Sequence, residues 1–173
     1  MEKIKVLYSE EEILKRVSEL GEELYNVYGD EEVVFVSVLK GSIFFAVDLA
    51  KKFKGDARID FLRVSSYEGE NSTGNINLKI ALKEENIKDK NVLIVEDIID
   101  TGRTMKFLVE YINGLGAKTV RSCSLLDKKS RRVEDIDADY VGFSIPDLFV
   151  IGYGFDYDEK YRNLPYIGVV VNE

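Results

Sequence analysis

Residues 92–105 read VLIVEDIIDTGRTM, and this stretch constrains the fold more than any other in the chain. Its first four residues are all apolar, the pattern of a strand buried on both faces rather than one that alternates between core and solvent. The strand runs into two adjacent carboxylates, Glu96 and Asp97. Neighbouring carboxylates repel each other and cannot both face a dry interior, so this strand must end at a polar site that offers a cation or hydroxyls. Asp100, Thr101, Gly102, Arg103 and Thr104 follow at a helix start. They supply what a phosphate cradle needs: a glycine that lets backbone N–H groups converge, two threonine hydroxyls, and the positive end of a helix dipole. An acidic turn before a capped helix is the plainer reading. It explains any two of these features but not all of them together.

The same strand, loop and helix grammar recurs. Ser9 with Glu12 three residues on forms a capping box, and Ile13, Leu14, Val17, Leu20, Leu24 and Val27 continue at helical spacing to a stop near Gly29. VVFVSVL at 33–39 predicts a second doubly buried strand, interrupted by Lys40-Gly41-Ser42 before a helix over 43–53. ARIDFLRV at 57–64 alternates and predicts a strand with Ile59, Phe61 and either Leu62 or Val64 inward. Further strands are expected at 78–82 and 119–126 and in YVGFSI, LFVIGYGF and YIGVVV, with a helix over 104–113. The fold class is α/β, one domain over 1–173 with a mainly parallel central sheet flanked by helices. Ligands in such folds gather at the carboxyl ends of the strands, here the loops after Leu39, Val95, Leu126 and Ile151. The polar stretch at 65–77 has little to bury and reads either as a functional lid or as a long hairpin tip.

Composition narrows the chemistry. A formal charge of −8 and a pI near 4.8 argue against nucleic acid and anionic membranes as partners. The chain has no histidine, so catalysis must run on carboxylates, Lys, Tyr or a bound cation. The single cysteine, Cys123, sits in the apolar run SCSLL and reads as a core residue. The charged opening and the lack of an 18-residue apolar run give cytoplasmic as the expected location. Neither a G-x-x-x-x-G-K-[ST] nor a G-x-G-x-x-G loop occurs. LIVED is also like the acidic strand end of signalling receiver domains, but those need far more chain after it than the 68 residues that follow Met105.

Together with LKGS (39–42), SSYEGENSTGN (65–75), LLDKKSRR (125–132) and VGFSIPDLFVIGYGFDYDEKYRNLP (141–165), the stretch at 92–105 resembles the hypoxanthine-guanine phosphoribosyltransferases of the type I phosphoribosyltransferase fold. The acidic pair and DTG-x-T mark the superfamily; IPDLFVIGYGFDY narrows it to enzymes of 6-oxopurines. The resemblance implies a small hood built from the N- and C-terminal segments. It implies transfer of a phosphoribosyl group from 5-phosphoribosyl 1-pyrophosphate to N9 of hypoxanthine or guanine with Mg²⁺, by a homodimer or homotetramer. By the same resemblance, Glu96 and Asp97 hold the ribose hydroxyls and, with Asp156, the metal. Asp100, Thr101, Gly102, Arg103 and Thr104 wrap the 5′-phosphate, and Asp100 is also the candidate catalytic base. Lys40, Gly41, Arg132 and Arg162 hold the diphosphate, with a cis peptide expected between Leu39 and Lys40. Lys128 meets O6 of the base, Phe149 stacks on it, Val150 pairs with its edge and Ile98 closes the other face. Ser66 and Tyr67 form the working edge of the lid.

Other readings stay open on the residues themselves. Lys128, Lys129, Arg131 and Arg132 also fit a solvated basic face, Phe149 a core position, and Asp156 to Asp158 a plain turn. Arg103 stands where many relatives carry lysine, which keeps the charge. A non-catalytic sensor of phosphoribosyl pyrophosphate, or a xanthine- or uracil-preferring transferase of the same superfamily, are the alternative functions. Adenine-specific relatives lack the Lys128 and IPDLFV pattern.

Overall fold

The capping box forms as the sequence predicts. The structure, a computed structural model, describes residues 3–66 and 76–171. Strand β1 (Lys3–Tyr8), which the sequence pattern did not reveal, leads to helix α1 (Glu10–Tyr28). The Ser9 hydroxyl accepts from the Glu12 N–H at 3.2 Å and the Glu12 carboxylate accepts from the Ser9 N–H at 2.8 Å. Then follow β2 (Val33–Leu39), α2 (Ile43–Lys52), β3 (Ala57–Ser66), β4 (Ile76–Ile80), the one-turn α3 (Glu84–Ile87), β5 (Asn91–Ile99), α4 (Arg103–Gly114), β6 (Thr119–Asp127), β7 (Tyr140–Ser144), β8 (Val150–Ile151) and β9 (Ile167–Val171).

Six strands form one sheet in the order β4-β3-β2-β5-β6-β7, parallel except for β4 at the edge. The continuous apolar runs are explained by burial on both faces. Val33, Phe35, Leu93, Val95 and Cys123 face one core, filled by Leu20 and Leu24 of α1 and Phe45 and Leu49 of α2. Val34, Val36, Val92 and Ile94 face the other, filled by Met105, Leu108 and Ile112 of α4. A second sheet, β1-β9-β8, is antiparallel and joins the two ends of the chain. Val150, Tyr153, Phe155 and Ile167 fasten it to the first core.

One expected facing is reversed. Leu62 is fully buried, but Ile59 and Phe61 are 45% and 38% exposed. The alternation in β3 is real, yet α2 lies over β2 and β5 and leaves the β3 surface on that side uncovered. The second core, beneath α4, takes Leu62 and Val64 instead. The polar stretch joins two strands paired antiparallel up to Ser66↔Ile76, so it connects a hairpin. Tyr67 and the rest of the expected lid through residue 75 lie outside the described residues. Among the described residues no helix is long and apolar enough to cross a membrane.

Candidate functional site

The loops after β2, β5 and β6 meet at the carboxyl edge of the sheet, beneath the three-stranded hood. One cavity there is lined by Gly41, Glu96, Asp97, Ile98, Asp100, Thr101, Gly102 and Thr104, together with apolar Val38, Leu39, Val64, Ile99 and Met105. Eight of the sequence candidates therefore share one wall. The Leu39–Lys40 peptide is cis. Gly41 has no room for a side chain, because a Cβ would stand 1.9 Å from Asp97 Oδ2.

Gly102 is the N-cap of α4 at φ 86°, a left-handed conformation that glycine adopts without steric cost. A Cβ there would also come within 2.9 Å of Arg132 Cδ and Ile136 Cγ2. Gly102→Ala should destabilise the protein by about 1–3 kcal/mol, read as a lower denaturant midpoint at unchanged slope. Thr101 and Thr104 stand on either side of this cap, and Arg103 opens the helix.

Among the described residues Glu96 and Asp97 form no ion pair. The Glu96 carboxylate accepts from the Asp97 N–H at 3.2 Å, and the Asp97 carboxylate from the Ile98 N–H at 2.8 Å. Burial, and then the Asp97 charge, push the Glu96 carboxyl well above its ordinary range. Burial also raises Asp97, while the Arg162 guanidinium pulls in the opposite direction. A carboxyl with a raised pKa in the folded state binds its proton more tightly there than in the unfolded chain. Its contribution to stability is therefore greatest in acid and is lost as pH rises through the carboxylate range toward neutral. Glu96→Gln should raise unliganded stability by about 1 kcal/mol near pH 8 and by less near pH 5. Equal gains at both pH values would show that the buried charge is not the cause.

Around this wall stand the cations. Lys40 Nζ is 2.6 Å from Glu159, and Arg162 reaches Asp156 at 3.0 Å, Glu159 at 3.2 Å and the Gly154 carbonyl at 2.7 Å. Lys128 is anchored by its N–H to the Ile99 carbonyl at 3.0 Å, and its ammonium lies 3.5 Å from Asp147. Phe149 is 57% exposed and meets Tyr157 edge-on at 5.8 Å, so it is not a core residue. Val150 turns its side chain into the first core and sits on β8, the edge strand of the hood.

Residues 4–159 match the phosphoribosyl transferase domain. A hypoxanthine-guanine phosphoribosyltransferase of Bacillus subtilis is 48% identical over 167 residues, 96% of this chain and 92% of that protein. One from Streptococcus agalactiae is 46% identical over 171 residues, 98% of this chain and 94% of that protein. The chain belongs to the hypoxanthine-guanine phosphoribosyltransferase family. A crystal structure of such an enzyme from Bacillus anthracis superposes with a TM-score of 0.90 at 45% identity, covering 99% of this chain and 100% of that one. The six-stranded sheet with its hood is thus the type I phosphoribosyltransferase fold, and the protein is a transferase.

Within this phosphoribosyltransferase, Arg132 departs from expectation. Its side chain is 11% exposed and four of its five N–H donors are taken: Nε by the Asp100 carbonyl at 3.1 Å, Nη1 by the Ile136 carbonyl at 2.7 Å and by Asp137, and Nη2 by Asp127. Asp127 is itself buried, so breaking the pair would leave a buried charge uncompensated. Arg132 buttresses the DTG loop from behind. Asp156 also differs from a free metal ligand, since one oxygen pairs with Arg162 and the other accepts the Glu159 N–H at 2.9 Å. Among the described residues no three acidic or other metal-binding side chains converge.

Sequence reasoning missed three residues of the transferase site. Arg131 lies 3.0 Å from Asp100 Oδ1 and 3.3 Å from Asp147. The contact with Asp100 is an ion pair without hydrogen-bond geometry, and Asp100 Oδ1 is buried with no hydrogen-bond partner. Asp147 joins Arg131 to Lys128, and Glu159 joins Lys40 to Arg162. All three lie within the quoted LLDKKSRR and IPDLFVIGYGFDYDEKYR runs, but only Glu159, three residues from Arg162, stands close in sequence to an expected cation of opposite sign.

Proposed function

We propose that the protein transfers the phosphoribosyl group of 5-phosphoribosyl 1-pyrophosphate to N9 of hypoxanthine or guanine, giving IMP or GMP and diphosphate in purine salvage. The observation that carries this reading is the shared wall of the cavity, where the buried Glu96 and half-buried Asp97 carboxylates adjoin a glycine-capped helix start. That juxtaposition suits a ribose 5-phosphate: hydroxyls donate to Glu96 and Asp97 while Asp100 to Thr104 surround the phosphate. Gly41 and the cations Lys40 and Arg162 take the diphosphate, and Asp100 accepts the N7 proton as N9 attacks the anomeric carbon. Lys128 donates to O6, Phe149 stacks on the ring, Val150 meets its edge through the backbone, and Ile98 lies on the opposite face. Ser66 and Tyr67 belong to the lid that excludes water from the sugar.

Mg²⁺ fits this donor set, because two adjacent carboxylates that line one cavity and make no ion pair among the described residues are hard oxygen ligands for positive charge. With few protein ligands converging, most of its shell would be water and diphosphate oxygen; when bound it neutralises the charge that departs. Glu96, Asp97 and, through water, Asp156 would hold it.

We also infer a homodimer or homotetramer. Ile59 and Phe61 of β3 and Ile43, Phe44 and Val47 of α2 are exposed. A neighbouring copy would cover apolar surface that the fold leaves open. Sedimentation equilibrium reads the assembly directly, and a monomer at micromolar concentration would overturn this part.

The functional test is a spectrophotometric assay with Mg²⁺, phosphoribosyl pyrophosphate and hypoxanthine, guanine, xanthine, adenine and uracil in turn. Turnover of hypoxanthine and guanine is expected. A preference for xanthine or uracil would transfer the reading to another branch of the superfamily.

A further inference from the structure

Glu159 touches both cations assigned above to the diphosphate. Its carboxylate is 2.6 Å from Lys40 Nζ and 3.2 Å from Arg162 Nη2, so it bridges a loop of the parallel sheet and a turn of the hood. The turn around it is fixed by its backbone: Asp158, Glu159 and Tyr161 all have positive φ, and the Glu159 N–H donates to Asp156. The side chain itself is 64% exposed and can leave without rebuilding the turn. Arg162 Nε is buried and has no hydrogen-bond partner, so the carboxylate leaves one donor of the guanidinium unused.

Two anions cannot occupy one pair of cations. We propose that Glu159 is an internal stand-in for the diphosphate, holding Lys40 and Arg162 together in the empty site and giving way when the diphosphate group binds. It returns to them as product diphosphate leaves, and so sets both the affinity for diphosphate and its rate of release. The proposal rests on the assignment of Lys40 and Arg162 to the diphosphate.

Titration of magnesium diphosphate into the whole protein tests it. Two exposed ion pairs of ordinary strength compete with the ligand, so Glu159→Gln should bind diphosphate about 3- to 10-fold more tightly than the wild type and release it more slowly. Glu159→Asp keeps the charge but shortens the reach, and should move affinity in the same direction if the glutamine variant folds poorly. Asp158→Asn makes the same change in net charge one residue away, on a side chain in contact with neither cation, and should shift affinity less than about 2-fold. Unchanged or weaker binding in Glu159→Gln, which a purely structural brace would give, overturns the proposal. Equal tightening in Asp158→Asn also overturns it, since overall charge would then suffice. Lys40→Met separates the two levels of inference: if it binds diphosphate like the wild type, the diphosphate assignment itself falls. Loss of binding there with no gain in Glu159→Gln removes only the role of Glu159.

Discussion

Lys128→Ala should lose about 10²–10³-fold in kcat/KM for hypoxanthine while changing adenine turnover little. The ammonium has three N–H donors and no lone pair, so it satisfies the O6 acceptor of a 6-oxopurine but opposes the 6-amino group of adenine. Its side chain is 12% exposed, and its ammonium donates one long hydrogen bond to Asp147 at 3.5 Å, which engages only one of its three N–H donors. A donor left facing another donor in a closed site costs roughly 2–4 kcal/mol, and sites built around one specific hydrogen bond reject the wrong analogue strongly. The wild type should therefore use adenine at least about 10³-fold less efficiently than hypoxanthine, and the variant should narrow that ratio. An unchanged ratio would return Lys128 to the solvated basic face.

Asp100→Asn should lower kcat by about 10- to 10³-fold with little change in the KM for phosphoribosyl pyrophosphate. The amide keeps the shape of the loop, in which the Asp100 carbonyl accepts from Arg132, but cannot take the N7 proton. Asp100 Oδ1 is buried without a hydrogen bond, and Arg131 approaches it at 3.0 Å off the hydrogen-bonding line, which leaves a lone pair for a substrate proton. Single-turnover transfer measured with saturating donor isolates this step. Wild-type rates there would assign the proton to another group.

How far the sequence reaches depends on how local each feature is. The capping box at Ser9, the doubly buried strands and the glycine that opens α4 all follow from demands a few residues apart, whereas β5 runs past the Glu96-Asp97 pair to Ile99 instead of ending at it. Backbone hydrogen bonds at a helix end and side-chain alternation along a strand are settled within one or two turns of chain, so their signatures are written contiguously. The short strands were less legible. β1 offers six residues with no regular alternation of burial, and β8 has only two residues; both exist because β9 pairs with them.

Pairing between distant elements was decided only in three dimensions. Composition placed Ile59 and Phe61 inward, but α2 does not extend over β3, and they face outward. Arg132 carried the same charge as any diphosphate ligand, yet Asp127 and Asp137 turn it into a brace behind the loop. Glu159 lies 119 residues from Lys40, and nothing in either neighbourhood required them to meet. Sequence by itself determined which residues could end a strand, cap a helix and hold a phosphate, because those tasks are local. Which carboxylate each cation meets was decided by the tertiary structure, since an ion pair depends on the distance between its charges and not on their order along the chain.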